Sequence, residues 1–113
     1  MIGLTIAAMI MEPKGKESFY VPVSTEAFFK RCWEPGIKAL ELELISLFPD
    51  PGVDLDKKHL PKLLNELHLL KDWAETGRHL NENDSEHLIN RISILQEKMH
   101  EAFLDENVII FIG

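Results

Sequence analysis

Cysteine is nearly absent from this chain, since Cys32 is the only one in 113 residues. An internal disulfide and a cysteine-based metal cluster are both excluded, because each needs at least two thiols. A lone thiol can still be catalytic, but Cys32 lies in FFKRCWEP among bulky apolar residues, where a buried structural cysteine is the commoner outcome. The sequence therefore predicts a reduced, structural thiol in a cytoplasmic protein.

Basic residues are also scarce: 12 Lys and Arg stand against 19 Asp and Glu, a formal net charge of −7. Residues 1–40 hold five basic and four acidic residues, a net of +1, whereas residues 41–113 hold seven and fifteen, a net of −8. Nucleic-acid binding draws much of its affinity from Lys and Arg contacts to phosphates, so no direct nucleic-acid partner is expected. The same charge would attract a basic protein, although an acidic surface can also serve solubility alone.

The sequence has no apolar run of the roughly 20 residues that a membrane-spanning helix needs. Its opening stretch, MIGLTIAAMIM, has no preceding basic segment of the kind that marks a secretory signal. The polar EPKGKE and the strand-like SFYVPV follow it. We therefore expect a buried strand, a hairpin loop and a second strand, with no membrane partner.

Two stretches have the spacing of long amphipathic helices. The first runs from Lys57 to about Thr76 with Asp56 as its N-cap, and the second runs from about Ser85 to Leu104 with Asp84 or Ser85 as its cap. The residues expected to face the core are Leu60, Leu63, Leu64, Leu67, Leu70 and Ala74 in the first helix, and Leu88, Ile92, Leu95, Met99, Ala102 and Phe103 in the second.

The middle of the chain predicts shorter elements. Ser24 or Thr25 can cap a short helix, which Pro35 and Gly36 interrupt. Leucines and glutamates alternate in residues 40–44, and this period of two favours a half-exposed strand, although both residue types also form helices. PDPGVD has the composition of a loop.

The chain closes on NVIIFIG, an apolar, β-branched run of strand length. Pairing of this run with the opening strand would satisfy the backbone groups of both. We therefore predict an α+β fold in a single domain, residues 1–113, with a small, mostly antiparallel sheet formed by the N-terminal and C-terminal strands. Two long amphipathic helices and a shorter one would cover this sheet.

No pattern in the sequence names a reaction. The five histidines include no pair at the three- or four-residue spacing of a helical metal site, and no glycine-rich phosphate loop or nucleophile elbow is present. Glu41 and Glu43 would share one strand face, but a solvated face explains them. We therefore expect no enzymatic activity, no metal and no cofactor.

A candidate binding surface involves the first long helix. Leu69 and Trp73 lie opposite its leucine stripe, so Trp73 is either a second internal contact or an exposed aromatic anchor with an acidic rim. The acidic loop NENDSE would extend that rim, or would be a solvated connection. The candidate partner-binding residues are Asp72, Trp73, Glu75, Glu82, Asp84 and Glu86.

This overall pattern resembles the small immunity proteins of bacterial toxin systems, including those of contact-dependent growth inhibition. The resemblance lies in the length, the acidic balance, the sheet from both chain ends and the helices DKKHLPKLLNELHLLKDWAETG and SEHLINRISILQEKMHEAF. It implies that the protein binds a cognate toxin domain, a basic protein and often a nuclease, and that carboxylates block the toxin's basic cleft.

Two other classes of protein stay open. A small enzyme or ligand-binding domain would show a polar pocket that holds histidine and carboxylates together. A self-associating structural protein would use Leu69 and Trp73, or an open strand edge, in a symmetric interface.

Overall fold

The computed structural model describes residues 5–13, 19–76, 79–105 and 107–113. Four described strands form one antiparallel sheet: β1 (Thr5–Glu12), β2 (Tyr20–Thr25), β3 (Val53–Leu55) and β4 (Ile109–Ile112), in the order β2-β1-β4-β3. The two strands from the chain ends, β1 and β4, are neighbours at the centre of the sheet. The predicted α+β fold, with a sheet built from both chain ends, is therefore confirmed.

The opening strand is confirmed from Thr5 onward. Ile6 and Ala8 are buried on one face, because alternate residues of a strand point to the same side. Residues 1–4 of the predicted strand, and residues 14–18 of the predicted hairpin loop, lie outside the described residues.

The two long helices pack against each other as α3 (Leu60–Thr76) and α4 (Glu82–Ala102). Asp56 caps the 3-10 turn Lys57–His59 that leads into α3, as predicted, and its carboxylate accepts from the Lys58 amide at 3.0 Å. No helix in the described ranges is long and apolar enough to cross a membrane. The buried predicted positions are Leu63, Leu67, Leu70, Ala74, Leu88, Ile92, Leu95, Met99 and Phe103, whereas Leu60, Leu64 and Ala102 are partly buried.

The start of α4 differs from the prediction. Its N-cap is Asn81, whose side chain accepts from the Asp84 amide at 2.8 Å, so the helix begins at Glu82. The predicted cap at Asp84 or Ser85 is wrong, because both residues already lie in the first turn of the helix. Several residues of NENDS can cap a helix, and the sequence does not rank them.

The shorter helix continues through Pro35 instead of stopping there. Its parts are α1 (Glu26–Phe28), a π-helical turn (Phe29–Trp33) and α2 (Glu34–Leu40), with Thr25 as the N-cap. A proline ring clashes with the carbonyl four residues earlier in an α-helix, and the wider π turn relieves that clash. The predicted interruption is therefore a local widening within one continuous helix.

The predicted strand over residues 40–44 is wrong. Glu41 ends α2 in the left-handed conformation (φ 54°), and a 3-10 turn follows at Ile45–Leu47. A tertiary contact holds this segment: the buried Glu66 carboxylate of α3 accepts from the amides of Glu43, Leu44 and Ile45 at 3.2, 3.2 and 3.1 Å. The predicted loop PDPGVD also contains the start of the short edge strand β3.

Candidate functional site

A shallow depression lies where α3 ends and α4 begins, and we call it the acidic cleft. Its volume is about 470 Å³. Three of its carboxylates are exposed, and none of the three has a hydrogen-bond or ion-pair partner within the described part of the chain. The lining residues are Ala74, Glu75, Leu80, Glu82, Ser85 and Glu86.

Two local hydrogen bonds shape the acidic cleft. The Ser85 hydroxyl donates to the Ala74 carbonyl at 2.8 Å, which ties the first turn of α4 to the last turn of α3. The Asn81 cap fixes the backbone direction at the start of α4. The carboxylates on both helices are therefore attached to a well-defined frame.

The helix dipoles have opposite effects on the charges of Glu75 and Glu82. Glu82 lies in the first turn of α4, where the positive end of the dipole stabilises a negative charge. Glu75 lies in the last turn of α3, where the dipole opposes it, and α3 has no basic residue there. The dipoles therefore stabilise the charge of Glu82 and slightly destabilise that of Glu75.

The remaining predicted acidic residues lie apart from the cleft lining. Asp84 is partly buried and accepts from Arg31 at 3.0 Å and from the Asn81 side-chain amide at 3.0 Å. The Arg31 contact links the start of α4 to the π-helical turn across 53 residues, and no local sequence pattern predicts it. Asp72 is exposed but does not line the cleft. The structure thus brings together Glu75, Glu82 and Glu86 out of the predicted set.

The sequence leaves two roles open for Trp73, an internal contact or an exposed anchor, and in the structure Trp73 makes an internal contact. Its ring is partly buried and stacks on the His79 ring, with centroids 4.4 Å apart and an interplanar angle of 2°. It also packs closely over Gly36, where a side chain would meet the ring. Leu69, one turn earlier, is 39% exposed. One face of Trp73 is therefore already covered by this chain.

A second depression gathers groups that acid–base chemistry uses, since His100 lines it with Glu97 and Glu101. The nearby Ser93 hydroxyl donates to the Ile89 carbonyl at 2.9 Å, and His100 has no hydrogen-bond partner among the described residues. A nucleophile linked to a base, the usual arrangement in covalent catalysis, is thus absent from this depression. Within the described ranges, no three His, Cys, Asp or Glu side chains could hold a metal ion.

Cys32 is fully buried, as predicted. Burial raises the pKa of its thiol, and the Arg31 side chain partly opposes that rise. We expect an aromatic disulfide reagent to modify Cys32 at least about a hundredfold more slowly in the native protein than in urea, because the thiol must first be exposed by local opening. A native rate equal to that of the unfolded chain would contradict the burial; absorbance of the released thiolate measures both rates.

Comparisons of the chain with protein-family models, curated proteins and solved structures found no match.

Proposed function

We propose that this chain is an immunity protein that binds and neutralises a cognate bacterial toxin domain, a nuclease, through its acidic surface. The observation that carries the proposal is the acidic cleft, in which three carboxylates without partners among the described residues share one depression with the apolar Ala74 and Leu80. A basic protein surface is the complement of this arrangement in charge.

The mechanism follows from the charges. A nuclease binds its substrate with Lys and Arg side chains that contact phosphates. Glu75, Glu82 and Glu86 would occupy the positions of those phosphates, while Ala74 and Leu80 would contact the methylene stem of a bound Lys or Arg. The long-range field of a chain with net charge −7 would also speed the encounter, and added salt would slow it.

Neutralising the cleft tests this proposal. We expect the triple variant Glu75→Gln, Glu82→Gln, Glu86→Gln to bind its toxin domain, to be sought in the product of the gene immediately upstream, about 10- to 100-fold more weakly than the wild type. The reason is that these charges raise the association rate and that the complex loses its charge pairs. Surface plasmon resonance with a catalytically inactive form of that domain would measure both rate constants at several salt concentrations.

The matched control removes three carboxylates elsewhere: Glu12→Gln, Glu26→Gln and Asp54→Asn, all at exposed positions. Both triple variants change the net charge equally, so general steering affects them alike and a difference between them reports the cleft itself. Equal affinities of the two variants would show that the toxin docks elsewhere. No complex between the wild-type chain and the product of the upstream gene would refute the immunity function.

A further inference from the structure

Leu104, just after α4, is the most exposed large apolar side chain among the described residues, with 78% of its surface accessible. The backbone holds it there: its amide donates to the Glu101 carbonyl at 3.2 Å, and the preceding Phe103 amide donates to Met99 at 3.1 Å. Phe103 itself is buried and anchors the turn. Leu104 is therefore displayed on a hydrogen-bonded turn, and fraying of the helix end does not account for its exposure.

A depression lies on each side of Leu104, and both include Glu101 in their lining. The first, of about 450 Å³, has walls that include Ile10, Phe19 and Val108. The second, of about 540 Å³, extends along α4 toward Leu64 of α3. We call Leu104 and these two depressions the Leu104 surface. The second depression is mostly apolar, and in the first the apolar side chains of Ile10, Phe19 and Val108 lie beside acidic groups. With Leu104 they offer apolar contacts that could receive the apolar face of an amphipathic helix.

The rim of the Leu104 surface is acidic and lies near the C-terminal end of α4. Glu97, Glu101 and Asp105 line its depressions near the C-terminus of α4, where the helix dipole already places negative charge. His100 is the basic residue of the last turn, and Lys98 approaches Glu101 at 3.5 Å with both side chains about half exposed. Asp105 lies beyond the helix end and accepts from the Asn107 amide at 2.9 Å, whereas Glu97 and Glu101 lie in α4 close to the negative end of its dipole. Cations from a partner would stabilise this concentration of negative charge.

We propose that the Leu104 surface docks an amphipathic helix of a partner protein, apolar on one face and flanked by Lys or Arg. The partner's apolar side chains enter the depressions on the two sides of Leu104, and its cations face Glu97, Glu101 and Asp105. A second copy of this chain is a poor occupant, because a twofold interface would place the same acidic rim opposite itself. This surface is separate from the acidic cleft, and the inference does not depend on the toxin.

A synthetic 18-residue helical peptide, with leucine along one face and lysine elsewhere, is the probe. We expect titration calorimetry to show binding that Leu104→Ser weakens at least about tenfold, since Leu104 is the central apolar contact. Leu69→Ser, the matched control at an exposed leucine of α3, should leave the affinity unchanged. Thermal unfolding of both variants would verify that they remain folded.

Two further variants locate the charges. Glu97→Gln with Asp105→Asn should weaken peptide binding and flatten its salt dependence, whereas Glu75→Gln with Glu86→Gln should not. A peptide with glutamate in place of lysine should bind at least about tenfold more weakly. The proposal is overturned if Leu104→Ser binds the lysine peptide like the wild type, if the cleft variant alone loses binding, or if the wild type is a dimer that Leu104→Ser converts to a monomer.

Discussion

Replacing Glu66 by glutamine is expected to lower the free energy of unfolding by about 3 kcal/mol, because hydrogen bonds to a charged group contribute about 1.5–3 kcal/mol each. The carboxylate accepts three backbone amides, those of Glu43 and Leu44 on one oxygen and that of Ile45 on the other. A glutamine side chain has one acceptor oxygen, and its amide group would face N–H donors. At least one of the three bonds is therefore lost, and the others lose their charge.

Urea unfolding followed by circular dichroism measures this loss. The matched control is Glu75→Gln on the same helix, at an exposed position, where we expect a change within about 0.5 kcal/mol. Glu66→Ala should be at least as destabilising as Glu66→Gln, because the buried Ile45 amide is then left without an acceptor. A Glu66→Gln protein as stable as the wild type would show that the carboxylate does not hold the segment after α2.

The second large loss of stability is expected from removing the largest fully buried side chain, that of Trp33. Trp33→Ala should lower the free energy of unfolding by about 4 kcal/mol, because it removes a fully buried ring and leaves a cavity. The ring stacks on Phe29, with centroids 5.3 Å apart and planes 16° apart, and it lies 6.5 Å from the Phe48 ring. Such a loss is a large fraction of the roughly 5–15 kcal/mol that stabilises a typical domain.

The control for this change is Trp33→Phe, which keeps an aromatic ring beside Phe29. The indole N–H of Trp33 is buried and has no acceptor among the described residues. Phenylalanine removes that unpaired donor, which offsets part of the lost packing, so we expect a change within about 1 kcal/mol. If urea unfolding finds Trp33→Phe as destabilised as Trp33→Ala, a phenyl ring beside Phe29 retains none of the stability that the indole ring provides, and the expectation is wrong.

Part of the candidate site could be predicted from the sequence. Composition points to the acidic residues around the α3–α4 connection, and Glu75, Glu82 and Glu86 line one cleft there. Asp84 could not be assigned in this way, because its ion-pair partner Arg31 is 53 residues away. The orientation of Trp73 depends on His79 and on the space above Gly36, and both are consequences of packing.

The Leu104 surface shows the same limit. The sequence predicts that α4 reaches Leu104 and that Phe103 faces inward, and Phe103 is indeed buried. The direction in which Leu104 points depends on the turn after α4. Its apolar neighbours come from β1 and α3, which are far from Leu104 in the chain. Hydrophobic periodicity describes each helix separately and carries no information about such neighbours.

The sequence by itself determined the strands at both chain ends, the two long helices and most of their buried positions, because periods of two and of three to four residues reflect which face of each element leaves water. Only the tertiary structure determined the conformation of residues 40–48. The alternation of leucine and glutamate there favours a strand, yet the buried Glu66 carboxylate supplies three hydrogen bonds to a turn instead. Local preference differs by fractions of a kcal/mol per residue, so a contact of about 3 kcal/mol from a distant helix overrides it.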